Sequence, residues 1–231
     1  MKIVTNERLI RRNSRIAQIS MVAGLLVLAG GMYISFRQPE QFGLSMAALL
    51  VGFSLSQIGI YFSNRWGRRP RPDELLNQAL KGLDNRHTIY HYIKPVSHLL
   101  VGPSGIWVLL PMHQRGTISY SKGRYRQRGG NLYLKIFAQE GLGRPDLEAA
   151  AERESAQKFL QNLLPEDEKM PAVQAALVFT NPKTNLEVDE HDEQPAAAVP
   201  VNKLKDLVRK TSKENSVPPR IVEQVQEALG E

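Results

Sequence analysis

Two uninterrupted apolar stretches dominate the first third of the chain. Residues 16–36 (IAQISMVAGLLVLAGGMYISF) and 42–62 (FGLSMAALLVGFSLSQIGIYF) each run for twenty-one residues without a charge. At about 1.5 Å per helical residue, roughly twenty such residues cross a hydrocarbon core of about 30 Å. The pattern therefore predicts a transmembrane helical hairpin, closed by the short link Arg37-Gln38-Pro39-Glu40-Gln41. Small residues recur along both stretches: Ala17, Gly24 and Gly31 at every seventh position, Ala48, Gly52 and Ser56 at every fourth. Such spacing lets helix backbones approach closely. Gly24, Gly31, Ala48, Gly52 and Ser56 are thus the expected packing residues, against each other or against a membrane-protein partner. Nothing ionisable lies inside either stretch, which argues for an anchor and against ion or proton transport. A cleaved leader is disfavoured, because the first apolar run is too long and a second follows at once.

After a basic, proline-containing linker at residues 63–72, the periodicity changes. Asp73 occupies an N-cap position, and Leu76, Ala79, Leu80 and Leu83 then share one helical face. Short apolar or alternating runs follow at 88–93, 96–101, 106–110, 117–121 and 132–137, each predicting a strand. Gly102-Pro103-Ser104-Gly105 is a turn signal that joins two of them as a hairpin. An amphipathic helix is expected over 146–164 and a buried strand over 172–180. Residues 185–200 read as a loop around a short strand, and helices near 202–210 and 218–229 follow. The expected class is α+β: the hairpin, then an α/β/α domain with a mixed sheet over residues 73–231.

Charge sharpens this division. The chain has 231 residues and a formal net charge of +7, yet residues 1–72 hold ten basic and two acidic side chains, whereas residues 73–231 are close to neutral at −1. The excess flanks the apolar stretches: Arg8, Arg11, Arg12 and Arg15 before the first, Arg65, Arg68, Arg69 and Arg71 after the second. By the positive-inside rule both ends of the hairpin, and so the basic N-terminal segment 1–15 and the domain, are expected on the cytoplasmic side of a bacterial inner membrane. The lipid bilayer is the expected partner. Without cysteine, this chain has no disulfide, thiolate metal site or cysteine nucleophile.

The run LKGLDNRHTIYHYIKPVSHLLVGPSGIWVLLPMHQRGTI resembles the core of the nuclease-related domain (NERD) family of the PD-(D/E)xK restriction-endonuclease-like superfamily. The Leu-rich helix, the strand–turn–strand around Gly-Pro-Ser-Gly, Gly116-Thr117-Ile118 and the strand Leu177-Val178-Phe179-Thr180 carry the likeness. The resemblance implies a fold in which strand carboxylates and a lysine hold a divalent cation for phosphodiester hydrolysis. On that alignment the strand Asp falls at Ser97, the following Glu at Leu110 and the Lys at Met112, while the helical Glu is kept as Glu74. Three of the four positions have lost their chemistry. Independently of any alignment, residues 85–139 contain no Asp or Glu at all. No catalytic residue, metal site or cofactor is therefore expected. The chain reads as a catalytically degenerate binding or accessory module, with a membrane-tethered Mg-dependent nuclease or nucleic-acid-binding protein as the rival.

The same acid-free window carries eight basic residues, four of them in Lys122, Arg124, Arg126 and Arg128. These four are the candidate contacts to an anionic surface or partner; a solvated hairpin is the plain alternative, and nucleic acid is less favoured. His87, His91, His98 and His113 also fall there. On a strand, His87 and His91 stand about 13 Å apart, so a zinc site is not favoured. Nor is a Ser-His-Asp array, since the window holds no acid to orient a histidine.

Overall fold

A computed structural model describes residues 1–129, 141–164, 171–188, 194–212 and 216–230. The expected strand at 132–137 lies outside the described residues. The chain forms two compact units, one of residues 1–6 and most of the chain from residue 72 onward, the other of residues 7–71.

The second unit is a pair of long helices. α1 runs Glu7–Arg37 and α2 runs Phe42–Phe62, with one 3₁₀ turn, Pro39–Gln41, between them. α2 coincides with the apolar stretch. α1 begins nine residues earlier than its stretch, because the Arg-rich segment before Ile16 is itself composed of good helix formers. Both helices are long and apolar enough to cross a membrane. A π-helical turn, Ser63–Gly67, ends the unit. Its Trp66 packs on Phe62 at 5.2 Å between ring centroids, with the Arg65 guanidinium over the indole at 5.4 Å.

The first unit is mixed α+β. Its main sheet has six strands in the order β1-β2-β3-β4-β7-β9: β1 (Lys2–Thr5), β2 (Thr88–His91), β3 (His98–Gly102), β4 (Gly105–Met112), β7 (Gln174–Phe179) and β9 (Ala197–Pro200). β2, β3 and β4 form an antiparallel meander, whereas β1–β2, β4–β7 and β7–β9 are parallel. β4 and β7 are central and buried on both sides, which is why their sequences read as unbroken apolar runs. A smaller sheet, ordered β6-β5-β8, is built from β5 (Gly116–Ser121), β6 (Arg124–Arg128) and β8 (Thr184–Glu187).

Helices cover both faces of the main sheet. α3 (Pro72–Ala79) and α5 (Leu204–Thr211) bury Leu76, Leu80, Leu204 and Val208 against Ile89, Leu100, Trp107 and Leu109. α4 (Pro145–Gln161) and α6 (Pro219–Ala228) bury Ala156, Leu160, Ile221 and Val225 with Leu99, Val108, Leu110 and Leu177 on the other face.

One boundary differs from the expected domain over 73–231. The first residues of the chain are a strand of this unit, so the helix pair is an insertion between β1 and α3. Lys2-Ile3-Val4-Thr5 is short, and its partner lies 86 residues later, so no local pattern reveals the pairing.

Candidate functional site

Strand parity decides where the four positions suggested by the family resemblance fall. Successive strand residues face opposite sides. On β4, Leu110 and Met112 point with Val108 into the cluster covered by α4, 4% and 6% exposed. Leu99 pairs with Val108, and Ser97, half-buried, lies just before β3, outside the paired register. Glu74, however, stands on α3, whose Leu76 and Leu80 pack with Trp107 and Leu109 on the other face. The structure thus groups Leu110 and Met112, sets Ser97 in the bend before β3, and leaves Glu74 on the helix across the sheet. Apolar packing surrounds Leu110 and Met112. Among the described residues no group of three or more His, Asp or Glu could hold a metal ion.

Two buried polar chains emerge that sequence reasoning missed. In the first, His91 and His98 face each other across β2 and β3 with their Nδ1 atoms 2.8 Å apart, and Asn77 Oδ1 lies 2.9 Å from His91 Nε2. If the Asn77 oxygen accepts from His91 Nε2–H, the single proton between the two Nδ1 atoms comes from His98. The next residue, Tyr92, adopts φ +59°, a left-handed conformation rare for an aromatic residue, and its hydroxyl donates to the Asp73 carboxylate at 3.3 Å. His91, His98 and Asp73 are all buried.

In the second chain Asp84 Oδ1 accepts from His87 Nδ1 at 2.6 Å, and His87 Nε2 lies 2.9 Å from Ser104 Oγ. This corrects the expectation that no acid could orient a histidine: Asp84 sits one residue before the acid-free window, and a sharp turn brings it to the ring. Burial would raise the Asp84 carboxyl, but hydrogen bonds from Arg86 and His87 outweigh it and hold the group below its ordinary value. The order of residues is that of a hydrolytic triad, yet the surroundings are those of a lock. Ser104 is 6% exposed. Its carbonyl accepts from Trp107 Nε1, and that of Pro103 accepts from the Val217 amide. A Cβ on Gly102 would clash with the His87 ring. The chain fastens the loop after α3 to the β3–β4 turn. Ser104→Ala should therefore lower stability by about 1 kcal/mol, and His87→Ala by about 3 kcal/mol, since the latter also opens a cavity and strands the Ser104 hydroxyl; urea titration in mild detergent reads both.

The basic cluster is organised by strand geometry. Lys122 and Gly123 form the two-residue turn between β5 and β6, at φ +52° and +72°, values suited to a tight hairpin. On β6, Arg124, Arg126 and Arg128 are exposed and share one face, whereas Tyr125 is buried on the other. The Tyr125 hydroxyl donates to the Ala196 carbonyl at 2.8 Å, and burial, with Tyr120 and Asp146 nearby, pushes its pKa up. Asp146, at the start of α4, is held below its ordinary value by the Arg144 guanidinium, with Arg124 adding to the effect.

The small residues of the helix pair line its inner seam. Ala17, Gly24 and Gly31 are buried on α1, and Ser45, Gly52 and Gly59 on α2. A Cβ on Gly24 would meet Ser56 Oγ at 2.7 Å and the Gly52 carbonyl at 3.0 Å; one on Gly31 would meet the Ala48 methyl at 2.9 Å. Gly24, Gly31, Ala48, Gly52 and Ser56 thus all stand at the contact between the two helices of this chain. No family model, curated protein or solved structure matches this chain.

Proposed function

We propose that this protein is a membrane-anchored binding or accessory module whose NERD-like domain is catalytically degenerate. The observation that carries the anchor is the inverted dressing of the helix pair. Small residues fill its seam, while large apolar side chains point outward, from Ile19 at 68% exposure to Phe36 at 79%. Among the described residues, every exposed large hydrophobic side chain except Ile3 and Leu147 lies between Ile19 and Tyr61. Water would penalise such a surface heavily, and lipid suits it. Tyr61 and Trp66 fit an interfacial belt, and the flanking arginines favour the cytoplasmic side of a bacterial inner membrane.

Chain connectivity supports the topology. β1 precedes the hairpin, β2 follows it, and the two strands are paired, so both ends of the hairpin belong on one side of the bilayer. Only Asn6 separates β1 from α1. The domain is tethered at both ends of the insertion.

Loss of catalysis is supported by the acid-free strands and by Leu110 and Met112 in the apolar core. The full chain in detergent should leave plasmid DNA and RNA intact with Mg²⁺ or Mn²⁺, and should resist carbonate extraction from membranes. Cleavage abolished by Glu74→Ala would reinstate the nuclease reading. The basic face of β6 is what favours that rival, which requires salt-dependent binding of oligonucleotides.

A further inference from the structure

We infer that the outward face of the three-stranded sheet binds the anionic headgroups of the bilayer that holds the hairpin; the inference rests on the anchor reading above. The face has a layered chemistry. Arg124, Arg126 and Arg128 form its outer row, on the edge strand β6. Their cross-strand partners on β5 are Ser121, Ser119 and Thr117, in that order. Beyond them, Asn185 and Glu187 on β8 stand beside Thr117 and Ser119. Alternate residues on a strand are about 7 Å apart, so the three guanidinium groups form an evenly spaced row backed by hydroxyl donors. Lys122 extends the row at the turn. Arg126 and Arg128 make no salt bridge among the described residues. A planar guanidinium with a neighbouring hydroxyl is well suited to a phosphate oxygen.

The two sides of this sheet decide between phosphate-bearing partners. Single-stranded nucleic acid is gripped by charge together with aromatic stacking. Here the aromatic and aliphatic side chains of the same strands, Ile118, Tyr120, Tyr125 and Leu186, all belong to the core side. Among the described residues of β5, β6 and β8, the outward face offers hydrogen-bond donors and charge but no ring. Headgroups ask for that combination. The surrounding charge sets the patch apart: residues 140–231 carry a net −7, whereas residues 122–128 carry four positive charges and no acid.

The absence of cysteine provides the probe. Ser121→Cys, labelled with a fluorophore on the outward face, is reconstituted as the full chain in nanodiscs of phosphatidylcholine, with or without phosphatidylglycerol. With phosphatidylglycerol, quenching by headgroup-labelled lipid should rise and quenching by aqueous iodide should fall, both reversing at high salt. Each basic residue near an anionic surface gives roughly a fivefold gain in affinity. The triple variant Arg124→Gln, Arg126→Gln, Arg128→Gln should therefore lose the effect by roughly a hundredfold, with the exposed Lys158→Gln on α4 as a control outside the patch. Equal quenching in neutral and anionic discs overturns the inference while leaving the anchor intact. Binding of a short oligonucleotide to this face, with no rise in lipid quenching on adding phosphatidylglycerol, also overturns it, assigning the face to nucleic acid. A chain that does not enter nanodiscs overturns the anchor reading, and this one with it.

Discussion

A fragment expressed from Pro72 onward should be markedly unstable and prone to aggregate, although every local pattern in it reads as a complete domain. Such a fragment lacks β1. In the full chain β1 covers one edge of β2 through four residue pairs, Lys2–Thr88 to Thr5–His91. It is bracketed by hydrogen bonds from the Lys2 amide to the His87 carbonyl at 2.8 Å and from the Asn6 amide to the His91 carbonyl at 3.1 Å. All four residues of β2 are buried. Removing β1 leaves their outer N–H and C=O groups unpaired on a flat, apolar edge, the arrangement that invites strand addition by another chain. At about 1 kcal/mol per net backbone hydrogen bond, the loss is roughly 3–4 kcal/mol, a large share of the ~5–15 kcal/mol that holds a domain together. Joining residues 1–6 to Pro72 through a flexible Gly/Ser linker should restore a monomer without the helix pair. Size exclusion and urea midpoints compare the two proteins; equal midpoints would show that β1 is dispensable.

The second large effect belongs to the helix pair. Gly24→Val should lower the thermal unfolding midpoint in mild detergent by the equivalent of about 2–3 kcal/mol, the range for overpacking a tight contact. The new side chain would face backbone on the opposing helix, with the Ser56 amide at 2.9 Å and the Gly52 carbonyl at 3.0 Å, and backbone cannot rotate aside. Gly30→Val is the matched control: six residues along the same helix, with nothing within 4 Å of the added Cβ. Similar midpoints for the two variants would mean that close approach at the seam contributes little. The same geometry bears on partners. Small residues already consumed inside the hairpin are not free to dock another subunit, so a membrane partner would have to meet the larger outward side chains.

Legibility followed the range of the interactions involved. α2 could be read to the residue, because twenty-one uncharged apolar positions bounded by polar ones leave a helix little choice. β4 and β7 were legible as unbroken apolar runs, since a strand covered on both faces needs no polar side. β6 was not. Its alternation is of arginine with tyrosine and glutamine, which resembles a polar loop until Tyr125 is seen to be buried. The site was less legible than the fold. The absence of acids from residues 85–139 was plain from the chain, and so was the apolar character of Leu110 and Met112. That Glu74 stands on a helix across the sheet from them was hidden, because it depends on which parity of β4 each helix covers.

By itself, then, the amino-acid order determined the helix pair, the meander of strands, the absence of acids from residues 85–139, and the gathering of basic residues in one short segment. All of these follow from interactions a few residues long: helical and strand periodicity, turn chemistry and local charge. The tertiary structure alone decided that β1 joins the sheet ahead of the inserted hairpin, that Asp84 reaches the buried His87 and Asp73 the hydroxyl of Tyr92, and that three arginines stand in a row beside hydroxyls. Each of these joins residues distant along the chain or turns on which face of a sheet is covered. Long-range burial determines both, and no short stretch of sequence encodes it.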